Sequence, residues 1–366
     1  MLLAGGGTGG HVSPLLAVAE VLRELDPDVA LLFCGGRRGL ESELVPAAGI
    51  PFHASPMPSL RDPDSRLSLV ARAVLVPPSV VDALVQIARF RPAVCCTSGG
   101  LVTLPVVIAA RLLRVPVYLW TGDVVPGRVN RLLAGFCQRI GATFEASVGW
   151  LPRGRTHVPG NPIRRSLLRW TAETGALALG LDPSVPMVLV TGGSQGSERI
   201  NAALSTALPQ ILRRASVVHH AGPAHLARAE ARKAALPEEL RDRYRPYGYL
   251  RDEMGAALAA SDLVVGRAGS SSISEPLAFG RPLVLVPFGA AASGHQAANA
   301  RAVEEAGAAT TIREGLLDGD RLAAVVCGLL DDRARLERMS ASARNAGKPE
   351  AAVTIARELL LLGRCA

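Results

Sequence analysis

The sequence predicts an α/β protein built from two Rossmann-type domains in tandem, and three observations predict it. Short apolar runs suited to strands alternate with helical ones, at 1–4, 29–35, 93–97 and 115–120, then at 187–191, 216–220, 262–266 and 282–287. Such alternation is the pattern of a parallel sheet with helices on both faces. A glycine-rich turn follows the first run, and the same succession of strand, glycine turn and helix restarts at residue 187. With 366 residues, 49% of them hydrophobic, the chain is long enough for two separate cores.

Met1-Leu2-Leu3-Ala4 reads as a short buried strand, and from Pro14 the spacing Leu15, Leu16, Val18, Ala19, Leu22 reads as a helix. Between them runs Gly5-Gly6-Gly7-Thr8-Gly9-Gly10-His11. A turn without Cβ atoms lets backbone N–H groups approach a ligand, and the helix N-terminus favours phosphate or another anion. His11, at the mouth of this turn, is placed either to take a proton from a substrate hydroxyl or simply to cap the helix. Gly5-x-Gly7-x-x-Gly10 also satisfies the dinucleotide fingerprint, yet Gly35-Gly36-Arg37-Arg38 stands where that fingerprint asks for an acid. Two arginines there suit a 2′-phosphate, so an NADP-dependent oxidoreductase is one alternative.

The apolar segment Leu67–Val81, flanked by Arg66, Arg72, Arg89 and Arg91, is too short and interrupted to span a bilayer. It suits either a segment dipping into an anionic membrane face or an ordinary core helix, with Pro77-Pro78 expected to break any long helix. After the strand Val94–Thr97 comes a further glycine turn, Ser98-Gly99-Gly100. Parallel strands all point their carboxyl ends one way, so these two turns would face one crevice and form an acceptor pocket. Val158-Pro159-Gly160-Asn161-Pro162 interrupts the periodicity and marks a domain boundary, giving a first domain over 1–160 and a second over 161–345.

In the second half, Gly192-Gly193-Ser194-Gln195-Gly196 is literally a G-x-S-x-G. A serine-hydrolase triad would need a later acid and histidine at strand ends, but Asp262 starts its strand and His295 has no evident orienting acid. Ser194 and the N–H groups after it are better suited to holding a phosphate at a helix start. In Arg267-Ala268-Gly269-Ser270-Ser271-Ser272-Ile273-Ser274-Glu275 the serines can cap a helix and donate to phosphate. Glu275 can accept from the two hydroxyls of a ribose, since a carboxylate offers two acceptors to a vicinal diol. Gly294-His295-Gln296-Ala297-Ala298-Asn299 begins another helix whose amides and imidazole would reach sugar hydroxyls.

The net charge of +8 is carried almost entirely by arginine and suits phosphates or anionic lipid. No lysine-rich tract or aromatic-studded basic motif points to nucleic acid. The six cysteines, Cys34, Cys95, Cys96, Cys137, Cys327 and Cys365, lack metal-ligand spacing and read as reduced core thiols of a cytoplasmic protein. Asp26-Pro27-Asp28 and Asp62-Pro63-Asp64 read as turns rather than metal sites. The chain opens on a core strand, so no signal peptide is expected; the shortness of that strand suggests that residues upstream are missing.

Taken in order along nearly the whole chain, GGGTGGHVSP (Gly5–Pro14), GNPIR (Gly160–Arg164), GGSQG (Gly192–Gly196), RAGSSSISE (Arg267–Glu275) and HQAANA (His295–Ala300) resemble the MurG family. This is the family of membrane-associated N-acetylglucosaminyltransferases of peptidoglycan synthesis, acting at the cytoplasmic face of the cell membrane. The resemblance implies a GT-B fold, two Rossmann-like domains facing an interdomain cleft, with UDP-GlcNAc held mainly by the C-terminal domain and lipid I by the N-terminal one. It also implies that residues 346–366, helical over Ala351–Leu362, pack back on the first domain. The family inverts at the anomeric carbon without a bound metal, so no cofactor is expected.

Carried over residue by residue, the resemblance places Thr8, Gly9, Gly10 and His11 in the acceptor-side loop, with His11 as candidate base for the muramyl 4-hydroxyl. Gly99, Gly100, Asp123 and Asn201 join the acceptor side. Arg164, Ser194, Gln195 and Ser270 fall on the donor's diphosphate or sugar, Leu250 by the uracil, Glu275 on the ribose and Gln296 on the GlcNAc hydroxyls. Departures concern the acceptor side. Trp120-Thr121-Gly122-Asp123 replaces the usual His-Glu-Gln-Asn, and Leu101 a common tyrosine, so His11 works alone or is oriented by Asp123. The implied reaction moves GlcNAc from UDP-GlcNAc to C4 of the MurNAc of lipid I, giving lipid II. The alternative within the fold is transfer of a sugar from a UDP donor to another lipid such as diacylglycerol.

Overall fold

The computed structural model describes residues 1–7, 9–58, 69–289 and 294–364. Thr8, the Asp62-Pro63-Asp64 turn, Leu67 and Cys365 lie outside the described residues. The chain forms two compact units, one of Met1–Arg164 with Pro349–Ala366, the other of Arg165–Lys348.

The first unit runs β1 (Leu2–Ala4), α1 (Gly9–Leu25), β2 (Leu32–Gly36), α2 (Glu41–Ala47), β3 (Phe52–Ser55), α3 (Leu69–Phe90), β4 (Cys95–Thr97), α4 (Leu104–Leu112), β5 (Val117–Thr121), α5 (Arg128–Ala134), β6 (Arg139–Ala142) and β7 (Thr156–His157). All pairings are parallel, in the order β3-β2-β1-β4-β5-β6-β7. In the second unit come α6 (Ala172–Ala178), β8 (Met187–Thr191), α7 (Glu198–Leu212), β9 (Ser216–His220), α8 (Leu226–Ala234), α9 (Glu238–Arg241), β10 (Tyr244–Tyr247), α10 (Glu253–Ala260), β11 (Leu263–Gly266), α11 (Ser270–Ala278), β12 (Leu283–Leu285), α12 (His295–Glu305), β13 (Ala309–Thr311), α13 (Gly319–Asp331) and α14 (Arg333–Ala346). Its sheet, also parallel, has the order β10-β9-β8-β11-β12-β13, so the first six strands of each unit share one Rossmann-type order.

The chain ends in α15 (Ala351–Arg364), whose buried Ala352, Ile355, Ala356 and Leu359 join the first unit's core beside Leu15, Val18 and Leu22 of α1. Below that helix, His157 Nε2 lies 2.8 Å from Glu358 and 3.2 Å from the Tyr118 hydroxyl.

The strands expected from apolar runs are the central ones, buried on both faces. Those that the runs did not reveal, β3, β6, β7, β10 and β13, lie at or next to the sheet edges. Their sequences, FHAS, RIGA, TH, YRPY and ATT, mix polar and apolar residues because an edge strand faces water on one side. Pro246 sits within β10, an edge strand, where the loss of a donor is tolerated.

One expectation is corrected outright. α3 runs unbroken through Pro77-Pro78. Both prolines are exposed, so the carbonyls they leave without donors one turn back can turn to water, while buried Ser79, Ala83 and Ile87 pin the following turns to the unit. The five cysteines among the described residues are buried free thiols, and burial pushes Cys34 and Cys137 up to about 12.

Candidate active site

In the first unit the strand order reverses between β1 and β4, so the turns after these strands flank the point where Rossmann-type sheets bind ligands. His11 lies in the first turn of α1, with Nδ1 3.1 Å from the Ser98 carbonyl in the turn after β4. A carbonyl only accepts, so Nδ1 carries the proton and Nε2 of the neutral ring keeps the basic lone pair. A backbone group thus takes the orienting position at Nδ1 that the sequence offered to Asp123. Asp123 follows β5 at the same edge, where its own carbonyl accepts from the Ser147 hydroxyl at 3.2 Å.

Several N–H groups of the glycine segments are satisfied from within. Gly7 N–H donates to both carboxylate oxygens of Glu41, at 3.2 and 3.1 Å, and Gly36 N–H donates to Oε1 at 2.9 Å. In the second turn Gly99 N–H donates to Thr97 Oγ1 at 3.0 Å and Gly100 N–H to Asn130 Oδ1 at 3.1 Å. Asn130, buried on α5, also donates to the Ser98 carbonyl at 3.3 Å, so one amide holds the turn on which His11 leans. Gly7 N–H, one donor of the dinucleotide fingerprint, is thus already occupied by a buried carboxylate.

The departure at Trp120-Thr121 has a packing reason. Trp120 is buried and donates Nε1–H to the Gly160 carbonyl at 3.0 Å, and Thr121 Oγ1 lies 3.5 Å from the Asn130 amide. Neither Glu41 nor Asn130 stood out in the sequence. The signals were the acid closing Gly35-Gly36-Arg37-Arg38-Gly39-Leu40 and the asparagine of Pro126-Gly127-Arg128-Val129-Asn130.

In the second unit, Ser194 and Gln195 form the exposed tip of the turn between β8 and α7. Gly193 N–H donates to Thr191 Oγ1 at 3.1 Å, and Ser197, not Ser194, caps α7 by accepting from Ile200 N–H. Gly196 has φ of +77°, and a Cβ there would lie 1.9 Å from the Ala221 carbonyl oxygen, so only glycine fits. Asn201 is turned inward: Nδ2 donates to the Ala221 carbonyl at 2.9 Å and Oδ1 meets His219 Nε2 at 3.0 Å. Its amide therefore ties α7 to the end of β9. His219 is buried and also bonded to the Tyr244 hydroxyl at 2.7 Å; burial pushes it down to about 3, so it stays neutral.

Arg267, at the end of β11, donates to Ser197 Oγ at 2.7 Å and to the Val286 carbonyl at 3.3 Å, and pairs with Glu314 at 2.7 Å. Glu314 in turn accepts from Gly289 N–H at 2.8 Å. This pair, with Glu314 unforeseen, joins the segments that follow β8, β11, β12 and β13. Ser270 opens α11 and Glu275 lies further along the same helix, while Gln296 in the first turn of α12 accepts from Phe288 N–H at 2.8 Å. Ser194, Gln195, Ser270, Glu275 and Gln296 thus come from segments following β8, β11 and β12, at the carboxyl edge of the sheet. Leu250 is buried, so its side chain is unavailable to a base; the exposed neighbour is Tyr249, whose ring stands edge-on to His220. Arg164 is exposed at the end of the first unit. Asp262 lies at the opposite edge and accepts from Met187 N–H at 2.8 Å, which removes it from any triad.

Residues 1–142 match the glycosyltransferase family 28 N-terminal domain, and residues 187–355 match the glycosyltransferase family 28 C-terminal domain. A UDP-N-acetylglucosamine–N-acetylmuramyl-(pentapeptide) pyrophosphoryl-undecaprenol N-acetylglucosamine transferase of Desulforudis audaxviator is 36% identical over 360 residues, 96% of this chain and 95% of that protein. A crystal structure of Acinetobacter baumannii MurG superposes with a TM-score of 0.77 at 23% identity, covering 99% of each chain. The calicheamicin glycosyltransferase CalG4 superposes with a TM-score of 0.69 at 17% identity, covering 100% of this chain and 98% of that one. These likenesses in fold identify the architecture as GT-B. By its match to both domain models and its identity to a curated transferase over nearly its whole length, the chain belongs to the MurG family of glycosyltransferase family 28.

Proposed function

We propose that the protein transfers GlcNAc from UDP-GlcNAc to the C4 hydroxyl of the MurNAc in lipid I, with inversion, giving lipid II. The observation that carries this reading is the 36% identity to a curated enzyme of that name over 96% of the chain. The geometry of His11 supplies the chemistry: the acceptor hydroxyl gives its proton to Nε2 as its oxygen attacks the anomeric carbon, and the bond from that carbon to UDP breaks with the electron pair leaving on the diphosphate. Nδ1–H on the Ser98 carbonyl holds the ring and disperses the imidazolium charge. Ser194, Gln195 and the α7 N-terminus would meet the charge on the departing UDP, Glu275 the ribose and Gln296 the sugar.

Among the described residues no helix is long and apolar enough to cross a membrane. Peripheral attachment to the cytoplasmic face is supported by α3, whose outer side exposes Val74 (69%), Val81 (60%) and Val85 (40%) beside Pro77 and Pro78. Leu112 and Leu113, between Arg111 and Arg114, expose further apolar surface at the end of α4, which packs against α3. Apolar insertion and arginine attraction to anionic lipid reinforce one another on such a surface.

The test is transfer of labelled GlcNAc from UDP-GlcNAc to a short-chain lipid I analogue, by wild type and His11→Ala. Transfer by the wild type that falls at least about a hundredfold in the variant, with UDP binding intact, is expected. UDP binding without transfer to this acceptor would refute the lipid I assignment and point to another lipid.

A further inference from the structure

The carboxylate of Glu41 is fully buried, with 0% of the residue exposed, and among the described residues no basic side chain is bonded to it. It is held instead by backbone N–H groups from two separate segments, Gly7 in the turn after β1 and Gly36 at the end of β2. Glycines wall it in. A Cβ on Gly6, Gly35, Gly36 or Gly39 would stand 2.2, 2.7, 2.9 or 2.0 Å from the nearest Glu41 atom. The glycine pattern that reads as a cradle for a ligand's phosphate is therefore, at these positions, a cradle for a carboxylate of the protein's own chain. Backbone N–H groups converging on one anion make a concave nest, and a charge-assisted bond to each donor is stronger than a neutral one.

The nest lies immediately before the helix that carries His11. We infer that Glu41 is a positioning residue for the transfer reaction: it pins the β1–α1 turn to the β2–α2 turn and so fixes where α1 starts and where His11 Nε2 points. This rests on the role proposed for His11. Glu41 touches no substrate in this scheme; its effect runs through Gly7 and the start of α1. The donor-binding residues of the second unit are independent of it, so its loss acts on turnover and not on donor affinity.

Glu41→Ala keeps Cβ and removes a CH2–COO⁻ group, the size of an acetate ion. The expected result is a fall in kcat of tenfold or more with KM for UDP-GlcNAc within twofold of wild type, and recovery of at least a third of the lost activity in 50–200 mM acetate, with chloride at equal ionic strength as control. Glu41→Gln keeps the volume but turns an NH2 group toward N–H donors; it should lose activity and resist acetate. Acetate should also raise the Tm of Glu41→Ala by at least 2 °C and leave wild type unmoved, a readout that needs no transfer and separates this inference from the acceptor assignment. Wild-type kcat in both variants would overturn it. So would a loss of kcat in Glu41→Ala with neither activity nor Tm answering to acetate.

Discussion

Replacing Glu314 by glutamine removes the charge facing a guanidinium that has little water to turn to. Arg267 and Glu314 are each 12% exposed and lie 2.7 Å apart. Breaking a fully buried pair by removing one partner costs about 3–5 kcal/mol, because the remaining charge is left uncompensated. The cost is smaller here, since both groups keep a rim of solvent and Arg267 retains the Ser197 hydroxyl and the Val286 carbonyl as acceptors. Glutamine also preserves an acceptor for Gly289 N–H. A loss of about 2–3 kcal/mol is expected. At about 2–4 °C per kcal/mol for a domain of this size, the unfolding transition drops by about 5–10 °C.

Scanning calorimetry with and without UDP is the assay, because the transition that UDP raises belongs to the unit that binds it. UDP affinity should fall several-fold as well, since Ser197 caps α7 and the Gly289 segment leads toward Gln296. The pH dependence provides a check on sign. Burial alone would push Glu314 up, but the Gly289 N–H and then Arg267 outweigh it and hold the carboxyl below its ordinary range. A carboxylate whose folded pKa is depressed contributes stability above its unfolded pKa, about 4.3, and loses it as pH falls through the folded value. The gap between wild type and variant should therefore close below about pH 4. A transition that moves by less than about 1 °C at pH 7 would refute the reasoning and place the pair with screened surface ion pairs, worth about 0–1 kcal/mol.

Glu275→Ala should weaken UDP binding about 10- to 100-fold by calorimetry, the worth of hydrogen bonds from a diol to a charged acceptor; unchanged binding would remove Glu275 from the ribose. His219, pushed down to about 3 by burial, is neutral in the folded protein but protonates below about pH 6.5 when unfolded. Its share of stability is thus present at pH 7 and lost on acidification, by about 2 kcal/mol between pH 7 and pH 5. Urea midpoints at the two pH values should differ less in His219→Gln than in wild type, and equal slopes would contradict the buried neutral ring. Val74→Asp with Val81→Asp should cut binding to anionic vesicles at least tenfold without changing UDP affinity, as sedimentation with the vesicles would measure. Vesicle binding equal to wild type would show that α3 is not the docking face.

The tandem Rossmann-type architecture was legible in the sequence, and the reason lies in where strands are buried. β1, β4, β8 and β11 are central, covered on both faces, and so appear as short continuous apolar runs ending in glycine turns. β10, with its proline, and the polar β3 were not legible, since edge strands carry no such pattern. α3 shows the limit of a local rule: two adjacent prolines predict a break, but the outcome depends on whether the freed carbonyls reach water, which their exposure in the folded chain decides.

What the sequence by itself determined is the succession of the central strands with their glycine turns and the family of the chain, because these rest on periodicity and on motifs read in line. Only the tertiary structure decided what the polar groups at those turns bind. Glu41 is five residues from Gly36 but 34 from Gly7, Asn201 is 18 from His219, and Arg267 is 47 from Glu314. No local pattern couples such pairs. They meet because parallel strands deliver all their carboxyl ends to one edge, and a buried donor or charge there must find its partner among whatever the neighbouring turns present.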